Sequence, residues 1–239
     1  MARHKYKRLT ATTLEEGVDY LSSVDPDMAR LVKSCGIPPL RRNPPGFATL
    51  LRSIVGQQVS VAAARSIWLR LEQALVEVTP QSFLTLDDKQ IRAVGFSGQK
   101  TRYGRLLAAD IHEGRLALDG VVAMDDEAAI AELVKGMGIG RWTAEIYMMF
   151  AHGRPDIMPG NDLGLVVAAH HLKGLRKRPD PKRMLKIAEP WRPWRTVAAL
   201  MLWHYRHNMP DWSSAAKPKK AKKPAASAPA KKSKTPKRG

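Results

Sequence analysis

The chain has 239 residues, with 40 Lys and Arg against 22 Asp and Glu, which gives a formal net charge of +18 at pH 7. The 44% hydrophobic content allows a sizeable core in one domain or two small ones. The single cysteine, Cys35, excludes an intramolecular disulfide framework and any four-cysteine zinc or iron–sulfur site. No apolar run of about 18 residues is present, which excludes a transmembrane helix.

The positive charge is concentrated at the two ends. Residues 213–239 carry nine Lys and Arg238 without a single acid, and residues 1–13 carry four basic residues. We predict a loose basic arm over 1–13 and a disordered tail over 213–239, since Lys, Ala, Pro and Ser cannot build a core. Flexible basic segments suit a polyanion because each neutralised phosphate releases counterions. A tail that only improves solubility is the alternative.

Between the ends the pattern is helical nearly throughout, without the period-2 alternation of strands. Apolar residues repeat at helical spacing from Phe47 to Val55. Residues that favour helix N-caps stand before further apolar runs, namely Ser60, Asp87, Ser97, Asp125 and Asp162. The sequence therefore predicts an all-α fold of nine or ten helices.

The segment Leu133–Ala144 contains a very short turn between two predicted helices. Gly136, Gly138 and Gly140 frame this turn, and glycine lets a backbone approach a ligand closely. The first amides of the second helix have no intrahelical partner, so they form an anion site suited to a DNA phosphate. Such a contact is blind to base sequence. A tight helix–helix turn without a ligand is the alternative.

About twenty residues later a Gly/Pro-rich loop, Gly153–Gly164, carries Asp162 where the next helix begins. Alone, this acid is an ordinary N-cap candidate. The hairpin, the loop and the acid, in that order, resemble the helix-hairpin-helix–Gly/Pro/Asp superfamily of DNA glycosylases. Three further segments add to the likeness: Ile54–Ser60, Gly95–Tyr103 and Trp191–Thr196. The last resembles the C-terminal signature of the 3-methyladenine DNA glycosylase II branch.

The resemblance covers roughly residues 14–212. Too few residues precede Phe47 for the N-terminal β domain of the long bacterial form, so the match is to the shorter, all-α form. It implies two helical lobes, 47–158 and 14–46 plus 159–212. A cleft between them would hold a nucleotide flipped out of double-stranded DNA.

The resemblance also implies roles for residues around the cleft. Asp162 is the expected catalytic carboxylate, which would stabilise positive charge on the sugar and orient or deprotonate water. Trp142 and Trp203 would form a base pocket that selects cationic bases. Ile146 stands where the family often has another aromatic, which leaves the pocket shape open. Gln58 is the expected wedge in the vacated stack; Gln57 would contact the DNA backbone or the orphaned base.

At the hairpin, the expected phosphate-binding residues are Gly136, Gly138, Gly140, Arg141 and Thr143. In related hairpins backbone carbonyls can hold a monovalent cation, and here Val134, Gly136 and Ile139 would supply them. No other cofactor is expected.

Trp142 occupies the position at which bifunctional members carry a lysine nucleophile. Tryptophan cannot form a Schiff base, so we expect base excision without β-lyase cleavage. The favoured hypothesis is a monomeric, cytoplasmic, nucleoid-associated glycosylase for 3-methyladenine and 7-methylguanine. A member with another lesion preference, such as deaminated bases, and a non-catalytic DNA-binding protein are the alternatives.

Overall fold

The computed structural model describes residues 8–208, which form twelve α-helices and two short 3-10 helices without a β-strand. The predicted all-α fold is confirmed. The α-helices are α1 (Ala11–Val24), α2 (Pro26–Cys35), α3 (Phe47–Gly56), α4 (Val61–Ala74), α5 (Pro80–Thr85), α6 (Asp88–Ala93), α7 (Gly98–His112), α8 (Asp126–Val134), α9 (Arg141–Phe150), α10 (Leu163–Leu172), α11 (Pro181–Ala188) and α12 (Arg195–Asn208). The 3-10 helices are Gly120–Ala123 and Glu189–Trp191.

The predicted N-caps are confirmed. Each predicted side chain accepts a hydrogen bond from the backbone N–H three residues later, as at Ser60, Asp87, Ser97, Asp125 and Asp162. The helix count exceeds the expected nine or ten partly because α5 has only six residues. A helix of that length is too short for hydrophobic periodicity to reveal it.

The N-terminal arm ends earlier than predicted. Leu9 is 2% exposed, and its N–H donates to the carbonyl of Gly153 over 2.8 Å. Thr10 caps α1, which begins at Ala11. The prediction of a loose arm as far as residue 13 is therefore wrong for residues 9–13, because an apolar side chain fixes them to the core. The predicted tail of residues 213–239 lies outside the described residues.

The helices pack in two groups. In the first, α3 contacts α4, α7 and α9, α7 contacts α5 and α6, and α8 packs on α9. In the second, α12 contacts α1, α2 and α10, and α10 contacts α11. The chain passes from the first group to the second through residues 151–162, which lead directly to Asp162. No helix in residues 8–208 is long and apolar enough to cross a membrane.

The Gly/Pro-rich loop is braced by the C-terminal signature. Thr196 accepts the N–H of Ile157 over 3.0 Å and donates its hydroxyl to the carbonyl of Arg154 over 2.7 Å. Arg195 Nε donates to Asp156 Oδ1 over 2.8 Å. Since buried backbone polar groups need partners, these bonds let a loop without secondary structure lie inside the protein. They fix the path of the chain into Asp162.

The candidate active site

Asp162 is the N-cap of α10, and its Oδ1 accepts the N–H of Leu165 over 2.9 Å. The carboxylate is half-buried and lines a cavity of about 860 Å³. A negative group at a helix N-terminus interacts favourably with the helix dipole. Asp162 is thus an ordinary N-cap by its local sequence, and in addition its carboxylate faces this cavity.

Both predicted pocket tryptophans reach the carboxylate. The indole Nε1 of Trp142, on α9, donates to Asp162 Oδ2 over 2.9 Å. The indole Nε1 of Trp203, on α12, donates to Asp162 Oδ1 over 3.1 Å. Three helices therefore bring the three predicted residues into one hydrogen-bonded group.

The cavity has an aromatic and aliphatic wall. Trp142, Ile146 and Phe150 line it from α9, because a spacing of four residues places them on one helix face. The ring of Phe150 stacks on Trp203, with centroids 6.0 Å apart and planes at 28°. The pocket therefore has a third aromatic, Phe150, beside Trp142 and Trp203, although position 146 is isoleucine. Sequence reasoning missed Phe150, although its spacing from Trp142 was visible.

Tyr147, next to Ile146, does not contribute to this cavity. It is 1% exposed, and its hydroxyl accepts the N–H of Gly46 over 2.9 Å. Burial raises the pKa of this phenol. Tyr147 is absent from the lining of the cavity beside Asp162.

The cavity lining also includes residues that the sequence did not single out for the site, most of them polar or basic: Pro38, Pro39, Arg41, His204, Arg206, His207 and Asn208. Gly164 lies beside the carboxylate. A Cβ at this position would lie 2.7 Å from Arg206 Nη1 and 2.9 Å from Asp162 Oδ1. Only glycine lets these two groups come so close to the first turn of α10.

The hairpin turn joins α8 to α9 over six residues. Gly138 has φ +86°, and an added Cβ would lie 2.8 Å from the Tyr103 ring. Glycine is thus required both by the backbone conformation and by the close approach. Gly140 is the N-cap of α9 and has no side chain that could accept a hydrogen bond. The first backbone amides of α9 therefore have no capping side chain as an acceptor.

Two predicted phosphate ligands, Thr143 and Arg141, lie in the first turn of α9. Thr143 is 4% exposed, so its hydroxyl is buried and only its backbone amide suits a phosphate. The Arg141 guanidinium forms two hydrogen bonds to Glu127, of 2.9 and 2.7 Å, and one of 2.9 Å to Glu145. A phosphate contact through Thr143 would therefore use its backbone amide, the Arg141 guanidinium binds carboxylates, and both residues stay predicted phosphate ligands.

Glu145 is the buried member of this ion-pair group. Burial raises its pKa to about 7, against the lowering effect of the neighbouring Arg141. Its Oε2 is buried without a hydrogen-bond partner. A buried carboxyl that lacks a second partner favours its neutral form.

The two glutamines of the segment Ile54–Ser60 have different surroundings. The side-chain amide of Gln57 donates to the carbonyl of Gly138 over 3.0 Å and so ties the α3–α4 turn to the hairpin. Gln58 is exposed and has φ +54°, in the left-handed region that residues other than glycine rarely occupy. An exposed side chain on a strained turn suits the predicted wedge, whereas Gln57 here bonds protein.

The predicted cation site draws on carbonyls of the hairpin turn. The carbonyl of Gly136 accepts the N–H of Ile139 over 3.0 Å, so this oxygen keeps one lone pair for a cation. Carbonyl oxygens are hard donors, which fits an alkali cation, and Val134 supplies another at the end of α8. A cation held by Val134, Gly136 and Ile139 stays a prediction.

Comparison with known proteins agrees with this geometry. Residues 51–193 match the model of the HhH-GPD superfamily of base excision DNA repair proteins. DNA-3-methyladenine glycosylase 1 of Schizosaccharomyces pombe is 30% identical over 222 residues, which cover 90% of this chain and 96% of the relative. The alkylbase DNA glycosidase-like protein mag2 of the same yeast is 31% identical over 192 residues, covering 77% and 90%.

Solved structures give the same result. S. pombe 3-methyladenine DNA glycosylase Mag1, in complex with abasic DNA, superposes with a TM-score of 0.71 and 30% identity, over 79% of this chain and 95% of that one. A DNA-3-methyladenine glycosidase from Bacillus halodurans gives a TM-score of 0.73 and 32% identity, over 80% and 89%. This chain therefore belongs to the HhH-GPD superfamily of base excision DNA repair proteins.

Proposed function

We propose that this protein is a monofunctional DNA glycosylase that removes alkylated purines, such as 3-methyladenine and 7-methylguanine, from double-stranded DNA as a monomer. The observation that carries this proposal is the carboxylate of Asp162 inside an aromatic cavity of about 860 Å³. That volume lies within the range of cavities that bind small molecules. The relatives named for 3-methyladenine support the choice of substrate.

A base inside a duplex hides its glycosidic bond, so the nucleotide must first leave the stack. Gln58, exposed at the tip of the α3–α4 turn, is the proposed wedge that fills the gap. The amides at the start of α9, beside Gly138 and Gly140, are the proposed phosphate contact. Gln57 links these two elements, so the wedge and the phosphate site act on the same stretch of DNA.

The chemical step breaks the bond between C1′ of the sugar and a ring nitrogen of the base. The bonding electrons leave with the base, which neutralises a cationic alkylated purine, and positive charge builds on the sugar. Asp162 stabilises this charge and accepts a proton from the water whose oxygen bonds to C1′. Since the base leaves as a neutral molecule, no strong general acid is required.

The product follows from the residue at position 142. Because Trp142 replaces the lysine nucleophile of bifunctional enzymes, no Schiff base can form with the opened sugar. Water is the nucleophile, and the product is an intact strand with an abasic site.

The test is release of bases from alkylated duplex DNA, with and without alkali treatment of the product. Asp162→Asn should reduce release at least 100-fold while duplex binding is kept, because asparagine still caps a helix but carries no charge. Asp180→Asn is the matched control, since Asp180 caps α11 in the same way outside the cavity.

The outcomes separate the alternatives. Full activity of the Asp162 variant would disprove the proposed mechanism, and strand breaks without alkali would disprove the monofunctional assignment. Release of hypoxanthine or uracil in preference to alkylated purines would favour a deaminated-base enzyme. Binding of duplex DNA without release of any base would favour a non-catalytic DNA-binding protein.

A further inference from the structure

We infer that Trp142 and Trp203 are positioning residues for the catalytic carboxylate, and that they leave Asp162 Oδ2 as the oxygen that meets the water or the sugar. This inference rests on the proposed function. In this role the indole N–H groups hold the carboxylate in place, in addition to any stacking of the indole rings on the base.

The hydrogen bonds on the two oxygens are unequal. Asp162 Oδ1 accepts two, from Leu165 N over 2.9 Å and from Trp203 Nε1 over 3.1 Å. Oδ2 accepts one, from Trp142 Nε1 over 2.9 Å. A carboxylate oxygen has two lone-pair positions, so among residues 8–208 Oδ1 has both filled and Oδ2 keeps one. Only Oδ2 can accept a further O–H without losing a bond.

The donors come from both sides of the carboxyl group. Leu165 belongs to α10, Trp203 to α12 and Trp142 to α9. With an indole N–H on each oxygen, rotation of the carboxylate plane would break at least one charge-assisted hydrogen bond. The orientation of the Asp162 carboxylate is thus set before a nucleotide enters, so the carboxylate does not have to reorient as the transition state forms.

The same contacts fix the ring orientation. Because the N–H edge of Trp203 faces Asp162 and one face stacks on Phe150, only the opposite face of this indole can meet a base. Trp142, 39% exposed, is the less enclosed of the two. Stacking depends on the ring alone, whereas positioning depends on the N–H, so the two roles can be separated chemically.

The experiment replaces the indole N–H by sulfur. Benzothienylalanine has nearly the shape of tryptophan but cannot donate this hydrogen bond, and it is introduced at position 142 or 203 of the full chain. Two quantities are measured: the single-turnover excision rate on a duplex with one 7-methylguanine, and the Kd for a duplex with a tetrahydrofuran abasic analogue. We expect the rate to fall about tenfold or more at each position, since the lost bond is to a charged group. The Kd should stay within about twofold.

Trp191 provides the matched control. Its indole donates to the Asp25 carboxylate over 2.8 Å, outside the cavity, so the same replacement there should leave the rate unchanged. Trp142→Phe is a second variant, tolerated because of the exposure of Trp142, and it should lower the rate without weakening the abasic complex.

Unchanged rates at both positions 142 and 203 would overturn the inference, and so would a fall in rate matched by an equal loss of affinity. In both cases the wild-type protein still excises the base, so the proposed function stands. If the wild-type protein releases no base from any substrate, the proposed function fails and the inference fails with it.

Discussion

Gly164 determines how closely α12 approaches the carboxylate of Asp162. Arg206 Nη1 and Asp162 Oδ1 lie 2.7 and 2.9 Å from the position that a Cβ of residue 164 would occupy, so only the missing Cβ leaves room for both. We expect Gly164→Ala to lower the excision rate about tenfold or more, because the carboxylate must turn away from its indole donors. Stability should change by less than about 1 kcal/mol, since alanine favours the helix and the end of an arginine side chain can move.

The measurement is the single-turnover rate alongside the thermal midpoint. Gly98→Ala is the control, because Gly98 also lies in the first turn of a helix and an added Cβ meets nothing within 4 Å. A Gly164 variant with the wild-type rate would show that the carboxylate does not depend on this space.

At the scale of single residues, the sequence identified Asp162, Trp142 and Trp203 but not the bonds between them. The partners are separated by 20 and 41 positions and meet only because α9, α10 and α12 converge. N-caps, in contrast, depend on residues three apart, so Asp162 could be recognised as a cap from local sequence. Gly164 is the last residue of the segment Gly153–Gly164 that the sequence pointed to. Its role was not visible there, because it depends on Arg206, 42 residues later.

At the scale of elements, a buried carboxyl group on α9 makes stability depend on pH. Burial of Glu145 on α9 raises its pKa to about 7, above the value near 4.5 expected in the unfolded chain. The folded state therefore binds this proton more tightly. The resulting stabilisation is complete below pH 4.5 and is lost as pH rises through about 7.

Glu145→Gln should remove this dependence, because glutamine stays neutral. Between pH 5 and pH 8 the free energy of unfolding of the wild type should fall relative to the variant, by up to about 3 kcal/mol. Urea denaturation at the two pH values measures this, with Glu113→Gln as an exposed control on a helix end. Parallel changes in wild type and Glu145 variant would contradict the assignment.

The hairpin also shows which features of an element can be predicted from the sequence and which cannot. Its glycine pattern predicted the turn and the open amides because both follow from backbone geometry. The sequence did not predict the ion pairs of Arg141 or the burial of Thr143, because both depend on tertiary packing. Glu127, from the neighbouring α8, pairs with Arg141 across the turn, and periodicity within α9 carries no sign of that.

At the scale of the whole molecule, the charge is divided between the fold and its ends. Residues 213–239 hold +10 of the net +18 and no acid. The lining of the site in the part of the chain that the structure describes comes from residues 38–208. We therefore expect deletion of residues 213–239 to weaken duplex binding and to leave the excision rate of bound DNA unchanged.

The physical reason is counterion release, which lowers log K linearly with log[salt], by about 0.9 for each phosphate neutralised in duplex DNA. A tail that neutralises several phosphates should therefore steepen the slope of log K against log[salt] by about 0.9 for each of them. Binding of an undamaged duplex is measured between 50 and 200 mM salt for the full chain, the deletion and a chain with the nine tail lysines changed to glutamine. The two altered chains should share the shallower slope. If glutamine leaves the slope of the full chain intact, the tail does not bind phosphates, and its charge serves solubility instead.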